Sequence, residues 1–126
     1  MCGELIMLSY CTAVVLDDLT KRDVFCANVN SPENTSVLVI PLRGASCIVV
    51  NHDADMDIID MSVVNSKGVE TLFKSFFGGE LAPKTVLDVA DSWAEGKYMT
   101  EDEFASCDDC VRVVAFVESD FIDFIV

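Results

Sequence analysis

Basic residues are scarce in this chain of 126 amino acids. Eight Lys and Arg accompany 22 Asp and Glu, the formal net charge is −14, and histidine occurs once. The shortage is greatest in residues 85–126, which contain eleven acids and only two bases. Because a surface this negative repels phosphate groups, we expect no direct binding to nucleic acid.

The sequence also lacks the segments that direct a protein to or through a membrane. Its longest apolar stretch, residues 5–16, is interrupted by Ser9, Tyr10 and Thr12, and it is shorter than the ~18 apolar residues of a spanning helix. No Lys or Arg precedes Lys21, so the basic region of a secretory signal is missing. We therefore expect a cytoplasmic protein without membrane contact, with its six cysteines reduced.

Apolar residues are nevertheless abundant and make up 52% of the chain. An acidic disordered segment is poor in such residues, because it cannot bury enough apolar surface to fold. A folded chain of this length buries roughly two-thirds of the surface that it exposes when unfolded. We therefore predict a single folded domain over residues 1–126.

Strand patterns dominate the first half of the chain. The segments predicted as strands are 4–16, 23–29, 37–42, 45–50 and 58–64. Arg43-Gly44 lies between two of these segments and predicts a hairpin turn. Pro41 has no amide hydrogen to donate, so its strand is expected at an edge of the sheet or ending near one.

The next segment follows a helical period instead. Its apolar residues recur every three to four positions: Val69, Leu72, Phe73, Phe76 and Phe77. This spacing predicts an amphipathic helix that packs on the sheet, with Phe73 and Phe76 in the core.

Two more helices and two more strands are expected toward the C-terminus. Pro83 favours the start of a helix and Gly96 its end. The segment from Thr100 to Glu103 has the form of a capping box and predicts a short helix that reaches the cysteines at 107 or 110. Segments 111–117 and 121–126 are predicted as strands. The whole pattern indicates an α+β fold, with a mostly antiparallel sheet and two to three helices packed on one face.

Motifs of catalysis are missing. The chain has no Gly-x-Ser-x-Gly nucleophile and no glycine-rich phosphate loop. Cys107 and Cys110 have the spacing of a thiol redox pair or of half a zinc site, with Cys47 and His52 as further candidate ligands. Two carboxylates between the cysteines, and an expected place near a helix C-terminus, disfavour a thiolate. We predict no enzyme activity, no metal and no cofactor; the alternative is a small metal- or thiol-dependent protein built on Cys107, Cys110 and His52.

Acidic side chains cluster between residues 88 and 109. Asp88, Asp91 and Glu95 are three and four residues apart, which places them on one face of a helix, roughly 5–6 Å apart along its axis. Like charges at this spacing destabilise a helix slightly, so folding alone does not favour them. The candidate partner-binding residues are Asp88, Asp91, Glu95, Glu101, Asp102, Glu103, Asp108 and Asp109.

By class, the chain resembles the small acidic inhibitors that phages direct against host defence nucleases, such as anti-CRISPR and anti-restriction DNA mimics. The likeness consists of small size, negative charge, rows of carboxylates and the lack of a catalytic motif. It implies a monomer or homodimer whose carboxylates imitate phosphates on the basic surface of a nucleic-acid-binding protein. Two alternatives remain: acids that only keep an apolar chain soluble, and a structural subunit that oligomerises through its apolar strands.

Overall fold

The computed structural model describes residues 10–30, 36–53, 58–65, 70–77 and 82–125. Helices and strands follow in these ranges in the order α1 (Tyr10–Lys21), β1 (Ala27–Asn30), β2 (Ser36–Leu42), β3 (Ser46–Asp53), β4 (Ile58–Val64), β5 (Glu70–Phe77), α2 (Pro83–Ala94), α3 (Glu101–Ala105) and α4 (Asp108–Ile125). The strands form one sheet in the order β1-β2-β3-β4-β5, and each neighbouring pair is antiparallel. The predicted α+β class and antiparallel sheet are confirmed.

The hairpin predicted at Arg43-Gly44 joins β2 to β3. Gly44 has a φ of +94°, a left-handed conformation that glycine adopts without a steric penalty. β2 is an internal strand, but β1 pairs with it only as far as Val39. Pro41 therefore lies beyond the end of β1, and the proline limits the length of β1 rather than moving β2 to the edge of the sheet.

Apolar clusters lie on both faces of the sheet, because successive strand residues point to opposite sides. On one face, Leu38 belongs to a cluster with Leu19 of α1 and Ala90 of α2. On the other face, Val39 belongs to a cluster with Val113 of α4. Two helices thus share one face, as predicted, but α4 covers the opposite face, which corrects the expectation that the helices lie on one side.

The strand predicted over residues 4–16 is wrong in its described part, where α1 forms. Cys11, Val15 and Leu19 are buried and recur every four residues, which is the stripe of a helix. The pair Asp17-Asp18, which follows the segment predicted as a strand, also lies within this helix. Residues 4–9 lie outside the described residues.

The helix predicted around Phe73 and Phe76 is also wrong, because the described part of that segment is strand β5. Residues of opposite parity in a strand point to opposite faces. Phe76 is 9% exposed and packs in the α1–α2 cluster, whereas Phe73 is 58% exposed. Pairing with β4 has overridden the helical spacing, and only one of the two phenylalanines is a core residue.

A single helix, α4, replaces the two strands predicted over 111–117 and 121–126. Its buried residues are Cys110, Val113, Val114 and Val117. These positions are three and four residues apart, as one face of a helix requires. Valine is frequent in strands, so the local sequence of residues 111–117 favours a strand, but packing against the sheet favours the helix.

The other predicted helices form close to their signals. α2 begins at Pro83 and is followed by Glu95 and Gly96, both left-handed, with φ of +50° and +77°. The N–H of Glu103 donates to Thr100 Oγ1 at 3.2 Å, and the N–H of Thr100 donates to Glu103 Oε1 at 3.0 Å. The capping box of α3 is therefore confirmed, although α3 ends at Ala105, before either cysteine.

Candidate functional site

The eight predicted acids follow one another along three consecutive helices, with Glu95 directly after α2, and all of them are exposed. We call this set the acidic surface: Asp88, Asp91, Glu95, Glu101, Asp102, Glu103, Asp108 and Asp109. Five members, those numbered 101 to 109, lie in the first turn of α3 or α4. Negative charge is favourable at a helix N-terminus, so the fold itself supplies part of the reason for their position.

Two arginines from other elements connect the acidic surface to the rest of the fold. Arg22, just after α1, donates to Asp91 Oδ1 at 3.2 Å and to Asp18 at 2.9 Å. Arg43, in the β2–β3 turn, donates to Glu103 Oε2 at 2.8 Å. Each arginine therefore holds a part of the acidic surface in place and reduces its local charge.

The acids differ in whether a cation neutralises them. Besides the two arginine contacts, Lys84 lies 3.0 Å from Asp88 and Arg112 lies 3.3 Å from Asp109. The acids without a cation within 4.0 Å among the described residues are Glu95, Glu101, Asp102 and Asp108. We call these four the unpaired acids, and their charge remains available to a partner.

A cleft of about 290 Å³ opens beside Glu101. Its lining consists of Thr20, Asp23, Val24, Phe25, Cys26 and Glu101. Two acidic residues, Asp23 and Glu101, thus line the same small cavity as the apolar residues Val24 and Phe25. An arginine or lysine packs its aliphatic stem on apolar surface and directs its charge toward carboxylates, so the lining suits such a side chain.

Phe25, which lines the cleft, contacts one residue before α3 and one residue within it. The rings of Phe25 and Phe104 stack with their centroids 4.5 Å apart, and the N–H of Phe25 donates to the carbonyl oxygen of Met99 at 2.8 Å. Asp23, with a φ of +62°, forms the turn that leads from α1 to Phe25. Asp23 was missed in the sequence because no local pattern connects it with Glu101.

The protonation of the surrounding groups follows from their contacts. The hydrogen bond from the Thr100 N–H, and then that from Arg43, lowers the pKa of Glu103. Burial, and then the hydrogen bond to Asp91, raises the pKa of Tyr98. Burial raises the pKa of Cys26 to about 12, so at neutral pH the cleft contains a thiol and not a thiolate.

The sulfur pair of Cys107 and Cys110 forms a disulfide, with the Cα atoms 5.3 Å apart. The prediction of reduced cysteines is therefore wrong for this pair, whereas Cys11, Cys26 and Cys47 are free thiols as expected. The expected position is wrong as well, because Cys107 directly precedes α4 and so lies at a helix N-terminus. That location favours a thiolate, where a helix C-terminus would oppose one.

Metal ligation by Cys107, Cys110 and His52 receives no support from the described side chains. Among them, no three His, Cys, Asp or Glu residues come close enough together to hold a metal ion. The side chain of His52 lies outside the described set. Within the described ranges, no helix is long and apolar enough to cross a bilayer. Neither a family model, nor a curated protein, nor a solved structure matches this chain.

Proposed function

We propose that this chain is a non-enzymatic binding protein that docks its acidic surface on the basic surface of a nucleic-acid-binding protein. In this proposal the carboxylates occupy positions that nucleic-acid phosphates otherwise fill, so the protein acts as an inhibitor. This is the mode of action of DNA mimics, including those of the anti-CRISPR and anti-restriction class. The partner's lysines and arginines supply the complementary charge.

The proposal is supported most directly by the four unpaired acids. Glu95, Glu101, Asp102 and Asp108 are exposed and have no cation within ion-pair distance among the described residues. Charges of one sign on a surface attract a partner of opposite sign before contact is made, and this attraction raises the association rate.

The cleft beside Glu101 gives the same surface a point of specific contact. In the proposed complex, one lysine or arginine of the partner enters this cleft, which Asp23, Val24, Phe25 and Glu101 line, and directs its charge toward the acids and its stem toward apolar surface. A single inserted side chain of this kind defines the orientation of the complex, because charge attraction alone leaves the two proteins free to rotate.

The competing explanation is that the acids serve solubility. A chain that is 52% hydrophobic benefits from a charged shell, and the helix N-termini explain part of the clustering. The two explanations differ in one respect: a solubility role depends on total charge, whereas a binding role depends on where the charge lies.

Two variants of equal charge therefore test the proposal. One carries Glu101→Gln and Asp102→Asn in the acidic surface, and the control carries Asp17→Asn and Glu70→Gln, which are exposed elsewhere. A partner captured from extracts of the native host is identified, purified and tested for displacement of its nucleic acid.

We expect the first variant to associate about tenfold more slowly than the control at low salt, since steering contributes 10-fold or more. The difference should shrink at about 1 M salt, where the Debye length is about 3 Å. Equal association of the two variants, or a captured protein that retains its nucleic acid, would contradict the proposal.

A further inference from the structure

The two cysteines at the start of α4 differ in their access to solvent. Cys107 is partly exposed, whereas Cys110 is 1% exposed and belongs to the buried stripe of the helix. In thiol–disulfide exchange, an incoming thiolate attacks the sulfur that it can reach. Cys107 is therefore the sulfur that a second molecule attacks, and Cys110 is the leaving sulfur.

The surroundings accommodate both the disulfide and the dithiol. The N–H of Cys110 points to Cys107 Sγ at 3.3 Å, and the helix N-terminus adds favourable electrostatics for negative charge on this sulfur. Cys110 Sγ lies 3.9 Å from the carbonyl oxygen of Leu42, which accepts the S–H hydrogen once the disulfide is reduced. Neither form leaves a sulfur without a polar neighbour, so the pair can change its redox state within the same fold.

We propose that Cys107 and Cys110 form a reversible thiol–disulfide exchange site whose substrate is a positively charged dithiol. One substrate thiolate attacks Cys107 Sγ, and the bond between Cys107 and Cys110 breaks. Cys110 leaves with the electron pair and takes a proton. The second substrate thiol then attacks the substrate sulfur of the mixed disulfide and releases Cys107. Two electrons and two protons pass from the substrate, which becomes a disulfide, to the cysteine pair.

The charge of the substrate follows from the carboxylates around the pair. Asp108 and Asp109 lie between the two cysteines in the first turn of α4. Among the described residues, Asp109 has a cation nearby, Arg112 at 3.3 Å, and Asp108 has none within ion-pair distance. These carboxylates repel an anionic thiol and attract a cationic one. They also oppose the helix N-terminus in stabilising a Cys107 thiolate, so recognition of the substrate, rather than an unusually acidic thiol, is the basis of exchange here.

Small thiols test this inference without any protein partner, so it stands or falls separately from the proposed binding function. The oxidised full-length protein is treated with cysteamine, which is cationic, or with glutathione, which is anionic. Alkylation followed by mass spectrometry counts the thiols that appear. A Cys-Asn-Asn-Cys peptide, oxidised to its disulfide, gives the ratio of the cysteamine rate to the glutathione rate in the absence of the fold and of the two carboxylates.

We expect the thiol of Cys110 to appear first, with the small thiol bound to Cys107, and the thiol of Cys107 to appear after a second small thiol has attacked. Both thiols should disappear again under oxidised glutathione, with the protein folded throughout. Relative to the peptide, the protein should favour cysteamine by about fivefold at low salt, and 1 M salt or the double change Asp108→Asn and Asp109→Asn should reduce this preference. Cys107→Ser should abolish exchange while retaining a good helix N-cap. It is preferred to Cys110→Ser, which alters a buried residue.

Three results would overturn the inference. They are a pair that remains reduced under oxidised glutathione, a disulfide that is reduced only in denaturant, and stoichiometric zinc on the reduced protein. A cysteamine preference no greater than that of the peptide would overturn the assignment of a cationic substrate.

Discussion

The guanidinium of Arg22 lies 3.2 Å from Asp91 Oδ1, although the two residues are 69 positions apart in the chain. The same oxygen accepts a hydrogen bond from the hydroxyl of Tyr98 at 2.8 Å. The three side chains connect the residue that follows α1, the last turn of α2 and the segment before α3. Asp91 therefore contributes to the fold as well as to the acidic surface, a role that its position in a row of acids did not indicate.

This arrangement predicts that Asp91 and Glu95 differ in their contribution to stability. Asp91→Ala removes the acceptor of both Arg22 and Tyr98 and should lower the free energy of unfolding by about 1–2 kcal/mol. Glu95→Gln removes an unpaired charge and should change it by less than about 0.5 kcal/mol. Urea denaturation at neutral pH measures both, and equal midpoints would contradict the structural role of Asp91.

Phe73 and Phe76 provide a matched pair within β5. Phe76→Ala should cost about 3–5 kcal/mol, because it opens a cavity in the cluster beneath α1 and α2. Phe73→Ala should cost less than about 1 kcal/mol, since Phe73 is 58% exposed. Thermal or denaturant unfolding compares the variants. If Phe73→Ala proved the more destabilising, the pairing register of β5 with β4 would be wrong.

Turns and helix caps were the features of the fold that the sequence predicted well. Pro83, Gly44 and the Thr100–Glu103 capping box act through the conformation of a few adjacent residues, so their signals are local. The hairpin, the start of α2 and the start of α3 could be placed for this reason.

The elements that were predicted wrongly depend on tertiary contacts. The first part of α4 is rich in valine and α1 contains a pair of valines, which favour a strand locally, yet Val15 and Val113 belong to helical stripes that cover the sheet. In β5, Leu72, Phe73 and Phe76 have helical spacing, but the backbone pairs with β4. A weak local preference is overruled wherever a sheet face must be covered or a strand has a partner.

The candidate site could be predicted in part for the same reasons. The acidic side chains were located because charge and capping are visible in the sequence. The neutralising contacts of Arg22 and Arg43 were not, because these arginines reach Asp91 and Glu103 from distant segments. The place of Cys107 at a helix N-terminus was not predicted either, because the sequence predicts strands where α4 forms.

Acid titration provides a test of the capping box. Hydrogen bonds from Thr100 and Arg43 lower the pKa of Glu103 in the folded state, whereas the unfolded chain has the ordinary value, about 4.3. The stability from this carboxylate is therefore present above that ordinary pKa and is lost as the pH falls through the folded pKa. Glu103→Gln retains a capping-box residue but does not titrate.

We expect the difference in unfolding free energy between the parent and Glu103→Gln to be constant near pH 7 and to shrink in acid. Chemical denaturation at several pH values measures it. Thr100→Ala, which removes the cap acceptor, should cost about 1 kcal/mol at pH 7. A difference that grew on acidification would contradict the lowered pKa.

Cys26 and Cys47 have the same raised pKa, about 12, through burial, but they differ in access. Cys47 is fully buried in the cluster beneath α4, whereas Cys26 lines the cleft beside Glu101. Because alkylation requires the thiolate, the rate at Cys26 should rise about tenfold per pH unit from neutral pH upward. Cys47 should remain unmodified until the protein unfolds.

The alkylation rate of Cys26 should also report whether a side chain occupies the cleft. An arginine-rich peptide that inserts a side chain between Asp23 and Glu101 should slow alkylation of Cys26, and Glu101→Gln should weaken the protection. Cys11, which lies in α1 away from the cleft lining, serves as the unprotected control, and mass spectrometry of peptides reads each site. If the peptide protected Cys11 and Cys26 equally, it would be acting on global opening rather than on the cleft, and the proposed contact with a basic side chain would lose its support.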